Sequence, residues 1–288
     1  MLISVVIPTY NSADFLKLAI NSVINQSYDN WELLIVDNHS VDNTENLVAS
    51  FNDSRIQYFK IQNNGIIGAS RNLGIENATG DWIAFLDSDD IWYQNKLSVF
   101  VEHCNNFKQF DVFSTNELKV FSSQSKSKTL YYGPLSSDAY KHLLIFGNRL
   151  SPSATIVNRS FIDINNISFN VGHHFIAVED YDFWLTLALN GANFLFVQNI
   201  QGEYLVHASN NSGRENLQTE NELKLLHHHV FNVQNFTLNK GLLWRRINCR
   251  LSIHSAFYSL RKKQIKKFIL KLLLTFFWNP VFSFLYFS

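Results

Sequence analysis

The chain has little cysteine, no excess of either charge and, after Glu222, no acidic side chain at all. Each shortage narrows what it can do. Its two cysteines, Cys104 and Cys249, lie far apart and lack the paired spacing of a zinc site or a disulfide framework, so both read as reduced thiols. Twenty-four basic residues balance twenty-four acidic ones, so no overall field points to nucleic acid as a partner. The glycines of Asn63-Asn64-Gly65-Ile66-Ile67-Gly68 lack the G-x-G-x-x-G spacing of a dinucleotide loop. No internal repeat is found. No basic leader precedes the apolar run over residues 2–7, so a cytoplasmic site of action is expected.

What is present is a chain of 288 residues, 46% hydrophobic, able to bury a substantial core. β-rich runs at residues 2–7, 31–36, 56–61, 82–86 and 111–114 alternate with helical patterns. In one of these, residues 14–24, Phe15, Leu18, Ala19, Ser22 and Val23 form a single stripe. The alternation predicts an α/β fold whose central sheet is mostly parallel and flanked by helices, with binding loops at the carboxyl ends of the strands. Residues 122–128 read as a mobile loop, 136–146 as a helix and 154–157 as a strand. Residues 179–190 read as a helix stopped by Gly191, and 194–197 and 204–206 as strands.

Beyond about Gln218 the pattern turns helical, aromatic and basic, with eleven Lys and Arg after Glu222. The expected division is one domain over 1–215 and a helical extension over 216–288. Lys271 and Asn279-Pro280 interrupt the apolar end of that extension, which suits a segment lying at a membrane interface better than one crossing it. Its cations match anionic lipid headgroups.

Three polar clusters follow the predicted strands: Pro8-Thr9-Tyr10-Asn11, Asp37, and Asp87-Ser88-Asp89-Asp90. All should gather on one edge of the sheet. Asp87 and Asp89, spaced i, i+2 at the end of an apolar run, are expected to project on the same side of a strand and face one divalent cation. A polar turn capping the next helix is the simpler reading. Against it, three crowded carboxylates repel one another unless a cation offsets the charge. Asp37 is either turn chemistry or an acceptor for an N–H of a ligand base. Arg71, just after the glycines, is a phosphate or base clamp, or a surface arginine. Asp180 opens a helix, where the dipole favours an acid, and its neighbours Phe183 and Trp184 suggest a partly dry setting. His207 is a structural histidine or a ligand. The run His227-His228-His229, with no acid nearby in sequence, reads as a solvated face.

These segments together resemble the family 2 glycosyltransferases. The resemblance rests on Ser4-Val5-Val6-Ile7-Pro8-Thr9-Tyr10-Asn11, on Glu32-Leu33-Leu34-Ile35-Val36-Asp37 with Ser40 and Asp42, and on Ala69-Ser70-Arg71-Asn72. Gly80-Asp81 leading into Asp87-Ser88-Asp89-Asp90, and Glu179-Asp180, complete it over roughly residues 1 to 212. It implies the GT-A fold of nucleotide-diphospho-sugar transferases and an inverting transfer of one sugar from a nucleoside diphosphate sugar, usually UDP-linked. The acceptor would be a hydroxyl of a glycan or lipid-linked oligosaccharide in surface polysaccharide biosynthesis, met at the cytoplasmic face of the inner membrane.

By the same resemblance Pro8, Thr9, Tyr10, Asn11, Asp37, Arg71, Asp87 and Ser88 would hold the nucleotide sugar, Asp89 and His207 would ligate Mn²⁺ or Mg²⁺, and Asp180 matches the catalytic base. Asn38 and His39 replace the Asp-Gly often found after the first aspartate, and Thr186 stands where many relatives have arginine. The Gln-x-x-Arg-Trp motif of processive synthases is absent, which implies one sugar per encounter. The alternative is a non-catalytic sugar-nucleotide-binding scaffold subunit, against which the intact Asp180 speaks.

Overall fold

The computed structural model describes residues 1–106, 109–121, 127–133, 135–207, 215–261 and 263–278. Its first half runs β1 (Ile3–Thr9), α1 (Ala13–Ile24), β2 (Trp31–Asp37), α2 (Thr44–Ser50), β3 (Ile56–Lys60), α3 (Ile67–Asn77), β4 (Trp82–Phe85), β5 (Ile91–Trp92), α4 (Lys96–Asn106), β6 (Val112–Phe121) and β7 (Ser127–Leu130). The second half runs α5 (Ala139–Phe146), β8 (Thr155–Asn158), α6 (Arg159–Ile164), α7 (Glu179–Leu189), β9 (Phe194–Val206), α8 (Glu215–His228), α9 (Lys240–Arg261) and α10 (Ile265–Trp278).

The sheet is ordered β3-β2-β1-β4-β8-β6-β9-β5, with β7 paired to β6. The block β3-β2-β1-β4 is parallel, as the alternating pattern requires. Beyond it the sheet is mixed: β8 runs antiparallel to β4 and β6, β9 is parallel to β6, and β5 is antiparallel to β9. The two runs expected at 194–197 and 204–206 are the ends of the single strand β9, because the polar stretch between them continues to pair with β6. The two-residue β5 and the polar β7 carry no apolar run to announce them.

Alternation along the central strands divides the core. Val5, Ile7, Leu33 and Ile35 pack under α1, α2 and α4, whereas Val6 and Leu34 pack with α3, α5 and α7 on the other face. Glu32, buried at the start of β2, accepts from Ser4 Oγ (2.6 Å), Thr79 N (2.6 Å) and Thr79 Oγ1 (2.8 Å), and so pins the turn that delivers β4 beside β1.

Val6 O accepts from Leu86 N (3.1 Å), so Pro8, two residues on, turns its nitrogen to that same side, where β4 has already ended. The strands part there. With β2 on one side of β1 and β4 on the other, this is where the strand order reverses, the place at which open α/β sheets bind ligands.

Helices of the expected extension share the core of the preceding residues. Leu225, Leu226, Ile247 and Leu251 belong to the same buried cluster as α5 and α7. The reading of His227 to His229 as a solvated face is corrected for one of them. His229 is buried, with Nε2 3.2 Å from Asp182 Oδ1 and Nδ1 2.9 Å from Tyr140 Oη, and the acid comes from a helix distant in sequence. Among the described residues no helix is long and apolar enough to cross a membrane. Most of the expected mobile loop, residues 122–126, and the tail past Trp278 lie outside the described residues.

Helix α3 approaches β1 at Gly74, where a Cβ would lie 2.3 Å from Val6 Cγ1. Gly74→Ala is therefore expected to lower stability by about 1–3 kcal/mol through overpacking. Chemical denaturation checks it, and an unchanged midpoint would show that α3 can step away from β1.

Candidate functional site

Where β1 and β4 part, a cavity of about 960 Å³ opens, walled by Pro8, Thr9, Tyr10 and Asn11, by Asn38 and Asn63, by Asp87, Ser88 and Asp89, and by Tyr204 and His207. The loops that wall it are latched together. Asn11, at φ +47°, donates from its backbone N to Ser40 Oγ (2.8 Å), and its Oδ1 accepts from Val41 N (2.8 Å). Asp42 accepts from Ala13 N (3.0 Å) and Thr44 Oγ1 (2.6 Å), serving the starts of α1 and α2 together. Asn38 Oδ1 accepts from Asn63 N (2.8 Å), and Asn63 Nδ2 donates to Ser70 Oγ (2.8 Å).

Asp37 was expected to accept from a ligand base, but it is only 1% exposed and does not line the cavity. Its oxygens accept from Ser40 N, Ser40 Oγ and Tyr58 Oη, so it organises the wall from behind. Burial, followed by that bond to Asp37, pushes the Tyr58 hydroxyl's pKa up.

The acidic cluster is a turn and not the end of a strand, because β4 stops at Phe85 and Asp90 N donates to Asp87 O (3.0 Å). The three carboxylates consequently part company. Asp87 turns to Arg71. Asp89 turns to His207, whose Nε2 lies 3.0 Å from Asp89 Oδ2 while its ring stacks on Phe15. Asp90 turns inward, accepting from Ser153 Oγ and from Leu205 N (3.1 Å), and is not at the cavity. Burial, then the charge of Asp87, raises the Asp89 pKa, and His207 opposes the shift.

Among the described residues no set of three or more acidic, His or Cys side chains converges as a protein-only metal cage. The donors present, one carboxylate and one imidazole at the wall of a polar cavity, fit instead a divalent cation that keeps the oxygens of a bound phosphate. Thr9 Oγ1, buried at the same wall, has no hydrogen-bond partner within the protein among the described residues, as befits a hydroxyl reserved for a ligand.

Arg71 was expected as a clamp on phosphate or base. Its guanidinium is instead 3% exposed and engaged by protein, with Nη2 2.7 Å from Asp87 Oδ1 and Nη1 3.0 Å from Glu179 Oε1. Its neighbours share the task. Ser70 holds Asn63, and Asn72 exchanges two 2.8 Å hydrogen bonds with the backbone of Phe169, the segment leading to α7. Glu179 thereby fixes the first turn of α7, and Asp180, the next residue, is close enough for its charge to act on Arg71 but is not part of the cavity wall.

Burial, then the charge of Glu179, lifts the Asp180 pKa to about 7, with Arg71 pulling the other way. Asn148 Nδ2 donates to Asp180 Oδ2 (3.1 Å). The sequence reading assigned no role to Glu179 or Asn148. Glu179 was visible beside Asp180, but nothing local reveals a partner 108 residues away. Asn148 sits in an irregular stretch that carries no signal.

The glycosyl transferase family 2 model matches residues 4–135. The chain is 31% identical over 261 residues to the UDP-Glc:alpha-D-GlcNAc-diphosphoundecaprenol beta-1,3-glucosyltransferase WfaP of Escherichia coli, covering 84% of this chain and 94% of that one. It is 32% identical over 192 residues to WfgD of Escherichia coli, named for the same reaction, covering 65% and 69%. Among solved structures, Staphylococcus aureus TarS 1-349 in complex with UDP-GlcNAc superposes with a TM-score of 0.66 at 18% identity, covering 96% of this chain and 91% of that one. A mannosyltransferase from Pyrobaculum calidifontis in complex with GDP-Man and Mn²⁺ superposes with a TM-score of 0.65 at 13% identity, covering 94% and 74%. These two share the fold.

Replacing Arg71 by methionine leaves Asp87 and Glu179 uncompensated. Arg71→Met is expected to lower stability by about 3 kcal/mol, the low end for breaking a buried pair because Asp87 is partly exposed. Urea denaturation reads it, and a loss below about 1 kcal/mol would show that solvent already screens the pair.

Proposed function

Because the chain belongs to glycosyl transferase family 2, we propose that it moves one sugar, with inversion, from a UDP-sugar to a hydroxyl of a lipid-linked glycan during surface polysaccharide assembly. Support for the donor comes from a polar cavity at the strand-order reversal, with an unpartnered Thr9 hydroxyl and the Asp89–His207 pair at its wall. Support for the acceptor comes from the names of WfaP and WfgD, both of which act on a sugar linked through diphosphate to undecaprenol.

In this reading Thr9, Tyr10, Asn11 and Ser88 bind the nucleotide, with Pro8 keeping the crevice open and Asp37 bracing its wall. Asp89 and His207 would hold Mn²⁺ or Mg²⁺, which when bound neutralises charge on the departing diphosphate. Arg71 acts without touching the donor, by holding Asp87 at the cavity and Glu179 at α7. Asp180 takes the proton of the attacking hydroxyl. In this reading the attacking hydroxyl approaches from the Asp180 side and the diphosphate departs on the Asp89 side, so one displacement inverts the anomeric carbon.

The observation that carries the reading is the carboxyl of Asp180. It is anchored through Asn148, with a pKa of about 7, suited to a base at neutral pH. Its ionised form, the one that accepts a proton, grows as pH rises through about 7. Acceptor kcat/KM is therefore expected to climb with pH and level off above that point. Asp180→Asn should keep UDP binding and lose transfer by roughly 10²–10⁴-fold. Retained turnover in that variant would remove Asp180 from the mechanism.

Contact with the membrane completes the proposal. Helix α10 exposes Ile265, Ile269, Leu270, Leu273 and Leu274 along one side, with Lys266 and Lys267 beside them. An apolar stripe flanked by cations suits the surface of an anionic bilayer. The full chain should cosediment with phosphatidylglycerol vesicles and not with phosphatidylcholine vesicles, and Leu270→Glu/Leu273→Glu should release it. Equal binding to both lipids, or to neither, removes α10 as the docking element.

A further inference from the structure

The segment that holds the base carries one arginine and is touched by two more from α9. Asn148, bonded to Asp180, follows Phe146-Gly147 and precedes Arg149. From α9 the Arg246 guanidinium lies over the Phe146 ring, 5.3 Å from its centroid. Four residues on, Arg250 packs against Gly147, which sits at φ +94° and where a Cβ would come within 1.9 Å of Arg250 Nη1. No side chain but hydrogen fits.

The three cations are not equivalent. Arg250 is half-buried and pairs with Glu222 (3.2 Å), so it is committed to the fold. Arg149 and Arg246 are exposed, and among the described residues neither lies within ion-pair distance of a carboxylate. The charge of Arg149 is felt locally: after burial, it is what lowers the pKa of His142 on α5. Helix α9 has no acid of its own to neutralise the patch.

Position gives the patch its meaning. Consecutive Cα atoms lie about 3.8 Å apart, so Arg149 begins within about one sugar's width of the side chain that anchors the base. A subsite there would adjoin the place where the acceptor hydroxyl loses its proton. Two arginines suit a group with several anionic oxygens better than a lone carboxylate. Past α9, on the same side of the chain's sequence, comes the apolar stripe of α10.

We propose that Arg149 and Arg246 form the subsite for the diphosphate that joins the acceptor's sugar to its lipid, with Gly147 and Arg250 holding the loop in place behind them. The subsite rests on the reading of the chain as a transferase with a lipid-linked acceptor. It makes α9 part of the acceptor site.

The test compares two acceptors on the full chain, with whichever UDP-sugar supports turnover. One is N-acetylglucosamine linked through diphosphate to a ten-carbon isoprenyl chain, and the other is the same sugar as a neutral octyl glycoside. In the double variant Arg149→Gln/Arg246→Gln, the ratio of kcat/KM for the diphosphate acceptor to that for the octyl glycoside should fall ten-fold or more, with UDP affinity retained. An unchanged ratio, whether both values fall together or neither falls, overturns the subsite. A wild-type chain that uses the octyl glycoside as well as the diphosphate acceptor also overturns it, while leaving the transferase reading intact. A wild-type chain that binds UDP but transfers to neither overturns the acceptor reading and the subsite with it.

Discussion

Arg71 holds two carboxylates that the chain places far apart: Asp87, just past β4, and Glu179, at the head of α7. A guanidinium so deeply buried tolerates the loss of water only while both acids face it. That requirement sets the distance between the loop at the polar cavity and the helix bearing Asp180. Gly74 lets α3 sit close enough on β1 for Arg71 to reach, and Asn72 ties the same helix to Phe169. The ion pair also bears on chemistry, because Glu179 raises the proton affinity of Asp180 and Arg71 restrains it. Geometry and proton affinity at Asp180 thus share one source.

How much of this could be read beforehand follows physical lines. The parallel block was legible because β1, β2 and β4 are apolar runs separated by helices with a clear stripe, and such local periodicity survives folding. Its consequence, that Pro8 to Asn11 and Asp87 to Asp89 line one cavity, was legible too, since strand ends of a parallel block gather on one edge. The fates of individual carboxylates were not. Asp87, Asp89 and Asp90 are equivalent in sequence, but a tight turn sends one to Arg71, one to His207 and one into the core. Arg71 read as a ligand clamp because Glu179 lies over a hundred positions away, and His229 read as solvated because Asp182 lies 47 positions away on another helix. Buried charge pairs made by long-range packing leave no periodic trace.

The helices after α7 join the core of the preceding residues as much as they extend it. His229 bridges Tyr140 of α5 and Asp182 of α7, and Tyr181, beside Asp180, donates to Leu143 O (2.6 Å). Helix α9 packs on α5 and sets Arg250 against Gly147. Helix α7, which bears Asp180, is therefore held from two directions, by Arg71 from the sheet side and by His229 from the carboxyl-terminal side. Helix α10 packs in turn on α9.

A proline seldom sits in an interior strand, and Pro8 is tolerated because β4 has ended beside it. With no amide hydrogen at that position, β1 has no donor with which to carry the ladder one step further, so the parting of the two strands is written into the covalent structure.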